Sequence, residues 1–472
     1  MSMRRTKIVC TLGPACSDSK VLDKMVAKGM NVGRINLAHG SLEEHSRQLA
    51  LLRSAAKKAK AIVSTLVDLP GSKIRTGMMR GGKVFLREGA KIELTEGKVE
   101  GTEQRIQVNH PGFLSLVSKG SSVFFDDGML EVKVVGKKAD SIECEVVVGG
   151  DLGSRKGVSI PNVEIDAPAF RDKDMPLLEF AKKEQVDFIG MSFIRRASDV
   201  TDLRKLLVEL ECDAHIIAKI ESPTALKNLK EIVAVADGVM VARGDLGVQL
   251  PSEDVPVAQK TITRECAAEA KPVIVATQML DSMIRNPAPT RAEVTDVANA
   301  ILDGADAVML SGETAMGKYP VRAIEMMDKV IRKTEGTLFK YDLLANNGEN
   351  TRLTIPQAIS KSVVQIARDL RANAIITYTS KGHTARYIAR HRPFTPIIAA
   401  TANEREIAKL QLLWGVIPEL IPKPKDTDDL IDKAVAAAEA ENLVGKGDLV
   451  VITAGIPINE PGTTNLLKAH VV

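Results

Sequence analysis

The sequence predicts an α/β protein: a (β/α)8 TIM barrel that carries an inserted small all-β lid domain and is followed by a C-terminal α/β domain. Three observations lead to this prediction. Eight short apolar runs alternate with segments of helical periodicity. One interval between these runs loses the helical period and alternates like a strand. After about residue 340, a second series of apolar runs and helical segments begins.

The eight apolar runs are rich in Val and Ile, which is typical of parallel strands covered on both faces. Eight such strands with intervening helices predict a closed barrel. A doubly wound open sheet has the same alternation and stays as an alternative at this point. The runs occupy residues 6–14, 30–40, 61–71, 186–194, 215–222, 238–247, 271–279 and 306–314.

The interval from Pro70 to about Asp166 alternates apolar and polar residues between Gly and Asp-Asp-Gly turns. This pattern predicts a β-barrel lid domain over residues 70–166, inserted after the third strand. The catalytic barrel then comprises residues 1–69 and 167–340, and the C-terminal α/β domain comprises residues 341–472. An insert at the mouth of a barrel can close over the site there.

One helix can be placed in detail, because residues 290–304 carry both of its end signals. Thr290 and Glu293 form a capping box, and Gly304 ends the segment. The apolar residues between them recur at helical spacing and form one stripe. We expect this helix to cover the outside of the barrel.

The composition fits a globular protein and excludes several other classes. The chain is 44% hydrophobic with a formal net charge of +4, which gives no sign of nucleic-acid binding. No stretch approaches the roughly 20 apolar residues of a membrane span, and no secretory signal is evident. Five cysteines without CxxC spacing favour free thiols in a reducing compartment. We expect a cytoplasmic protein without nucleic-acid or membrane partners.

Charged residues stand at the ends of several predicted strands, where barrel enzymes carry their catalytic groups. Glu221 and Asp245 end neighbouring strands and could share a hard cation such as Mg²⁺. Lys219 lies two residues before Glu221, on the same face of its strand, and would stand beside that metal. A plain ion pair between Lys219 and Glu221 is the alternative.

A second group of residues suits an anion. Arg34 lies inside the second apolar run, and Lys73 and Arg75 come from the third strand region. Arginine binds phosphate bidentately, while lysine acts as a point charge. Gly244 and Asp245 begin a tight turn whose backbone N–H groups could hold an anion. Solvated surface charges are the alternative for Arg75.

These residues belong to motifs that resemble the pyruvate kinase family over nearly the whole chain, in the family's order. The motifs are RINLAHG, DLPGSKIRTG, SRKGVSIP, SFIRR, AKIES, MVARGDLGV, ATQMLDSM, NPAPTRAEVTDVANAILDGADAVMLSGETAMGKYP and the terminal GTTN. The resemblance implies transfer of the phosphoryl group of phosphoenolpyruvate to ADP, which gives pyruvate and ATP.

The resemblance also implies roles for individual residues. Glu221 and Asp245 match the ligands of the catalytic Mg²⁺ or Mn²⁺, and Lys219 matches the lysine that stabilises the phosphoryl group and the enolate. By the resemblance, Arg34 and Arg75 bind phosphates, and Gly244, Asp245 and Thr277 bind the substrate carboxylate. The residues implied to bind the nucleotide are Arg75, Lys156, Asn36 and His39. Ser311 and Glu313 are implied to form a proton relay.

The position of Lys73 departs from the pattern of many family members, which carry glutamate there and require K⁺. Of the residues that form the family's monovalent site, Asn36 and Asp68 remain, whereas Ala38 and Leu69 replace a serine and a threonine. We hypothesise that Lys73 supplies the positive charge that K⁺ supplies elsewhere, so that K⁺ is not required. The alternative is that Lys73 points to solvent and the site still binds K⁺.

The C-terminal domain contains a loop that could cradle a phosphate, formed by Thr379, Ser380, Lys381, Gly382 and Thr384. The resemblance implies a phosphorylated allosteric effector there and a homotetramer. Two other functions stay open: a Mg²⁺-dependent barrel lyase or aldolase that acts through a pyruvate enolate, and an inactive metabolite-sensing or scaffold protein.

Overall fold

The computed structural model describes residues 4–71, 73–126, 128–161, 163, 170, 174–341, 353–458 and 463–472, without the side chains of 339–341. The chain begins with three buried strands separated by two helices. Both helices begin behind a side-chain cap, Asp18 for the first and Ser41 for the second. These elements are β1 Lys7–Thr11, α1 Ser19–Ala27, β2 Val32–Asn36, α2 Leu42–Lys58 and β3 Ser64–Leu69.

The insert after β3 is built from short strands and one helical turn. Its elements are β4 Lys83–Leu86, β5 Lys91–Thr95, β6 Arg105–Gln107, α3 Phe113–Leu116, β7 Ser122–Phe125, β8 Leu130–Lys137, β9 Ser141–Val148, β10 Gly150–Gly153 and β11 Val158–Ser159. The described strands form a six-stranded sheet, β11-β7-β8-β9-β5-β6, and a separate pair, β10-β4. The β-barrel form expected for this insert stays a prediction.

The chain then completes the large domain with alternating helices and strands. These are α4 Met175–Lys183, β12 Phe188–Met191, α5 Ala197–Glu209, β13 His215–Ile220, α6 Pro223–Lys227, α7 Leu229–Val235, β14 Gly238–Ala242, α8 Arg243–Gln249, α9 Val255–Ala268, β15 Val273–Ala276, α10 Arg291–Leu302, β16 Ala307–Leu310, α11 Gly312–Ala315 and α12 Pro320–Tyr341. The predicted capping box of α10 is confirmed, since the backbone N–H of Glu293 donates to Thr290 Oγ1 and that of Thr290 donates to Glu293 Oε2.

Eight parallel strands close into a barrel in the order β1-β16-β15-β14-β13-β12-β3-β2. The predicted barrel is confirmed and the doubly wound sheet is excluded. Each strand is shorter than its apolar run, because the polar residues at the end of the run lie in the loop beyond the strand. Asn36, Asp68 and Lys219 still belong to strands, whereas Glu221 and Thr277 lie just after theirs. The charged groups thus gather at one mouth of the barrel.

The C-terminal domain is a five-stranded sheet, β19-β18-β17-β20-β21, flanked by helices. Its elements are α13 Ile355–Asp369, β17 Ala374–Tyr378, α14 His383–Ala389, β18 Ile397–Thr401, α15 Glu404–Leu410, β19 Val416–Leu420, α16 Thr427–Ala440, β20 Leu449–Gly455 and β21 Thr464–Val471. The sequence did not predict β21, an antiparallel edge strand that is largely exposed and has no apolar run.

The C-terminal domain seals the end of the barrel opposite the charged mouth. Leu412 is fully buried and packs with the residues that fill the barrel interior, among them Val9, Phe188 and Ile274. Two basic side chains of low exposure join the domains there: Arg392 pairs with Asp306 at 2.7 Å, and Lys7 Nζ donates to the carbonyl of Val416 at 2.8 Å. The barrel interior therefore depends on a residue from the next domain.

The proposed domain limits remain predictions. The limit at residues 166 and 167 and most of the polar stretch after residue 340 lie outside the described residues. Within the described ranges, no helix is both long enough and apolar enough to cross a membrane.

Candidate active site

The mouth of the barrel holds a network of buried charges. Arg34 on β2 reaches the adjacent strand β3, where its Nη2 and Nε atoms lie 2.6 and 3.0 Å from Asp68 Oδ2. Its Nη1 atom donates to Thr11 Oγ1 at 2.9 Å. Three hydrogen bonds therefore fix the guanidinium group, which is a rigid fork of donors. The sequence predicted that Arg34 lies at the mouth but not that Asp68 is its partner.

Lys219 on β13 is the centre of this network. Its Nζ atom lies 2.8 Å from Glu221 Oε1, 2.7 Å from Ser192 Oγ and 3.4 Å from Asp68 Oδ2. Burial disfavours the charged amine, but the fields of Glu221 and Asp68 outweigh that effect and raise the pKa of Lys219 above its usual value. The ammonium group is therefore charged and fixed in position.

The two carboxylates predicted to bind a metal are both at this mouth. Glu221 is buried, and its Oε2 atom accepts the backbone N–H of Phe193 at 2.8 Å. Asp245 lies in the first turn of α8, and its Oδ1 atom is 2.8 Å from Lys73 Nζ. Burial opposes the charged carboxylate of Asp245, but Lys73 and Lys219 outweigh that effect and lower its pKa. Asp245 is therefore an anion.

These carboxylates fit a hard divalent cation. Glu221 Oε1 is buried and forms no hydrogen bond of acceptable geometry within the described residues, although Lys219 lies nearby. No cluster of three or more His, Cys, Asp or Glu residues with metal-binding geometry occurs in the part of the chain that the structure describes. Mg²⁺ is commonly held by one or two carboxylates, with substrate oxygens and water completing its coordination. Glu221 and Asp245 match that donor set.

Thr277 follows β15 and contacts the start of α8. Its Oγ1 atom accepts the backbone N–H of Gly244 at 2.7 Å and donates to the carbonyl of Ala276 at 2.6 Å. The predicted carboxylate-binding residues Gly244, Asp245 and Thr277 are therefore neighbours. From the sequence, a helical turn at this position was only a hypothesis, since Gly244 and Gly247 are poor helix formers.

Two predicted nucleotide-binding residues belong to the insert and contact other groups of that domain. Lys156 Nζ pairs with Asp126 Oδ1 at 2.9 Å, with both side chains partly exposed. Arg75 Nη1 donates to the carbonyl of Arg155 at 3.0 Å, and its backbone bridges to Gly157. Lys73 and Arg75 therefore reach different partners, although they are two residues apart.

Three further predicted residues lie on or after β2 and β3. Asn36 is paired with Asp68 in the strand register, and its Oδ1 atom accepts the backbone N–H of Ala38 at 3.1 Å. Asp68 Oδ1 is buried without a hydrogen-bond partner among the described residues. His39 is exposed beyond the strand. Asn36 and Asp68 thus stand together, as a shared ion site requires.

The predicted relay residues lie after β16. Glu313 is buried, and its carboxylate accepts backbone N–H groups from Leu280 at 3.0 Å and Ser311 at 2.7 Å. Burial raises the pKa of Glu313. Ser311 Oγ is buried and has no hydrogen-bond partner within the described ranges.

The predicted effector loop joins β17 to α14 in the C-terminal domain. Gly382 adopts a φ of 74°, and a side chain there would meet Glu406 Oε1 at 2.8 Å. Thr384 Oγ1 lies 2.7 Å from Thr464 Oγ1, so the loop contacts the terminal GTTN segment. Thr379 is buried, while Lys381 is exposed.

Sequence reasoning missed several contacts at the mouth. Thr11 binds Arg34, and Asp296 on α10 pairs with Arg243 at 2.7 Å. A polar residue at the end of the apolar run KIVCT could have indicated Thr11. Nothing in the sequence distinguishes Asp296 from other polar residues of its helix.

The closed eight-stranded barrel with charged side chains gathered at one mouth defines the class of the protein: a barrel enzyme. Family models support this class directly. The pyruvate kinase barrel domain matches residues 3–324, and the pyruvate kinase alpha/beta domain matches residues 357–470.

Known relatives match nearly the whole of this chain. The chain is 47% identical to a pyruvate kinase of Geobacillus stearothermophilus over 99% of this chain and 80% of the relative. It is 43% identical to a pyruvate kinase of Staphylococcus epidermidis strain RP62A over 100% and 81%, respectively. A crystal structure of a pyruvate kinase from Cryptosporidium parvum aligns with a TM-score of 0.92 at 37% identity, covering 99% of this chain and 96% of the other.

The chain therefore belongs to the pyruvate kinase family and is a phosphotransferase. The predicted family is confirmed. The barrel lyase or aldolase is not favoured, because both family models and these relatives point to the kinase.

Proposed function

We propose that this enzyme transfers the phosphoryl group of phosphoenolpyruvate to ADP, forming pyruvate and ATP, with Mg²⁺ or Mn²⁺ held by Glu221 and Asp245. The observation that carries the proposal is the position of Lys219, whose Nζ atom lies 2.8 Å from Glu221 in a buried network at the barrel mouth. When bound, the divalent ion neutralises negative charge on substrate oxygens.

The fixed cations act on the phosphoryl group. Lys219 stabilises the phosphoryl group during transfer and the enolate that remains, because its charge is already desolvated and held in place. Arg34 binds a phosphate oxygen, since Asp68 and Thr11 orient its guanidinium group without occupying all five donors. Catalysis of this type consists of positioning and neutralisation of charge.

The substrate carboxylate binds at the start of α8. The backbone N–H groups of Gly244 and Asp245 face this region together with Thr277, and α8 begins there. Thr277 also stands near the carbon that takes up a proton. Ser311 and Glu313 deliver that proton through the relay implied by the family. The 2.7 Å hydrogen bond from the Gly244 N–H to Thr277 Oγ1 keeps the two residues side by side, and the Gly244 N–H gives up this bond when it binds the carboxylate.

The inserted domain closes over the nucleotide. Lys156 and Arg75 then bind its phosphates, and Asn36 and His39 contribute from the barrel. Closure excludes water, which would otherwise hydrolyse the phosphoryl donor. The partial exposure of Lys156, with its Nζ atom in a surface ion pair, supports a side chain that can exchange partners.

Lys73 takes the place of K⁺ in this proposal, so the enzyme is active without a monovalent cation. The 2.8 Å contact between Lys73 Nζ and Asp245 Oδ1 supports the presence of this positive charge at the mouth. The competing possibility is a working K⁺ site formed by Asn36 and Asp68.

The test is pyruvate formation from phosphoenolpyruvate and ADP with Mg²⁺, in buffer free of K⁺ and NH₄⁺, and then with K⁺ added. Full activity without K⁺ is expected. Activity only with K⁺ would keep the kinase and reject the role of Lys73. Absence of ADP-dependent turnover in both buffers would reject the kinase function itself.

Regulation forms the last part of the proposal. A phosphorylated effector binds the loop formed by Thr379, Ser380, Lys381, Gly382 and Thr384, in a cytoplasmic homotetramer. The contact between Thr384 and Thr464 supports a shared site of two loops. We expect sugar phosphates or AMP to shift saturation by phosphoenolpyruvate, and Lys381→Gln to weaken that shift. An identical curve with every compound would count against regulation.

A further inference from the structure

The backbone of Thr277 has an unusual conformation. Thr277 and Gln278 follow β15 with φ values of 70° and 55°. Positive φ is rare outside glycine, and for a β-branched residue such as threonine it is a genuine outlier. Such a conformation persists only where the surrounding structure holds it, and it is frequent at functional sites. Contacts with neighbouring residues must therefore hold Thr277 in this conformation.

Arg243 supplies these contacts from the neighbouring strand end. Its Nη2 atom donates to the carbonyl of Thr277 at 2.7 Å, and its Nε atom donates to the carbonyl of Ala276 at 3.3 Å. The next residue, Gly244, donates its backbone N–H to Thr277 Oγ1 at 2.7 Å. The same turn thus fixes both the peptide that follows Thr277 and the direction of its hydroxyl group.

Arg243 is itself fixed from a third element. Its Nη1 atom lies 2.7 Å from Asp296 Oδ1 on α10, and its side chain is 10% exposed. Gln259 Oε1 lies 3.4 Å from the same nitrogen. A guanidinium group can bind in these three directions at once because its donors form a planar fork, whereas a lysine ammonium group on a flexible stem cannot.

We infer that Arg243, anchored by Asp296, is a positioning residue that holds Thr277 in its strained conformation and so keeps Thr277 Oγ1 beside the start of α8, where the substrate carboxylate is proposed to bind. This inference rests on the proposed role of Thr277. Arg243 itself does not touch the reacting atoms. Without Arg243, the backbone of Thr277 relaxes toward negative φ, and its hydroxyl group moves away from the start of α8.

The test is a double-mutant cycle with Arg243→Gln and Thr277→Val. Arg243→Gln alone is expected to lower kcat by about 100-fold, the cost of a displacement near 1 Å at a reacting centre. In the Thr277→Val background, the same change should alter kcat by no more than about twofold, because its target is already lost. Arg243→Lys should lower kcat as much as Arg243→Gln does. Because lysine keeps the positive charge but lacks the planar set of donors, this result would show that the hydrogen-bond geometry of Arg243 matters and its charge does not.

A second readout follows the proton step. Exchange of the methyl hydrogens of pyruvate with deuterated solvent, measured by NMR, should fall by the same factor in Arg243→Gln and Thr277→Val. Arg204→Gln is the matched control, since Arg204 also binds a backbone carbonyl and an aspartate, Val235 and Asp237, away from the mouth. It should retain wild-type kcat.

Two outcomes overturn the inference. If Arg243→Gln lowers kcat equally with and without the Thr277 hydroxyl group, Arg243 acts by another route. If Thr277→Val is fully active, the proposed role of Thr277 fails and the positioning role fails with it. Should Arg243→Gln not fold, Asp296→Asn is tested in the same cycle, and additive losses there again reject the inference.

Discussion

The ammonium group of Lys73 lies 2.8 Å from the carboxylate of Asp245, and this contact joins the segment after β3 to the charged mouth of the barrel. The two residues are 172 positions apart in the chain. The lysine side chain is 19% exposed, so its charge is only partly screened by solvent. A permanent positive charge at this position offsets the negative charge of Asp245, as a bound cation would.

The first prediction concerns Lys73→Glu. Replacing the ammonium group by a carboxylate removes the internal cation and adds an anion, so activity should be lost in K⁺-free buffer and partly restored by K⁺. The measurement is kcat as a function of K⁺ concentration. Lys83→Glu is the control, because Lys83 pairs with Asp151 on the exposed surface of the insert. Equal K⁺ responses in both variants would contradict the role of Lys73.

The second prediction separates metal binding from catalysis. Glu221→Gln should weaken Mn²⁺ binding by one or two orders of magnitude, because it removes one of two carboxylate ligands. Lys219→Met should leave Mn²⁺ bound but lower kcat by about 10²–10³-fold, as for other lost charge stabilisation. Electron paramagnetic resonance measures free Mn²⁺ directly. Unchanged Mn²⁺ affinity in Glu221→Gln would show that the metal lies elsewhere.

The third prediction concerns the inserted domain. If Lys156 binds the nucleotide as proposed, its ion pair with Asp126 competes with that binding, so Asp126→Asn should lower the KM for ADP. A surface ion pair contributes about 0.2–1 kcal/mol, which sets the change at no more than about fivefold. Steady-state kinetics with varied ADP measure it. Asp151→Asn, which breaks another surface pair of the same domain, should leave this KM unchanged. A higher KM in Asp126→Asn would contradict the exchange.

The fourth prediction concerns pH and the sealed end of the barrel. Burial lowers the pKa of Lys7 to about 7, with Arg4 acting in the same direction and Glu335 and Asp306 opposing. The unfolded chain keeps a pKa near 10.4 for lysine, so between these values it binds a proton that the folded state lacks. Stability should therefore rise with pH from about 7 to 10, by at most about 1.4 kcal/mol per pH unit.

The variant Lys7→Met removes this dependence, because a neutral side chain does not titrate. As pH increases from about 7 to 10, the Tm of the wild type should rise relative to the Tm of Lys7→Met. Lys20→Met provides the control, since Lys20 is exposed. A constant difference in Tm from pH 7 to 10 would show that Lys7 stays charged in the folded protein.

The sequence predicts those features that depend on local periodicity. The apolar runs predict the barrel strands, and the T-x-x-E pattern predicts the start of α10, because each signal lies within a few residues. The antiparallel strand β21 could not be predicted in this way, because it is largely exposed and has no apolar run.

Contacts between side chains from different strand ends and loops could not be predicted, for a different reason. The pairs Arg34–Asp68, Lys219–Ser192 and Lys73–Asp245 depend on the barrel register and on side-chain direction. The sequence predicts that charged residues meet at one mouth, but it does not predict which charges pair. The positive φ of Thr277 could not be predicted from the sequence either, because a β-branched residue rarely adopts that backbone conformation.

The sealing of the barrel by Leu412 has a consequence for the order in which the chain folds during synthesis. Strand β1 is made first, but its neighbour β16 begins at Ala307 and the apolar interior stays open until Leu412 has emerged. At about 5–20 residues per second, a ribosome needs about 20–80 seconds to reach that point. The strands of the insert pair with near neighbours and can form long before. The catalytic domain is thus begun first but completed only after the whole insert has been made, and its exposed strand edges need protection in the meantime.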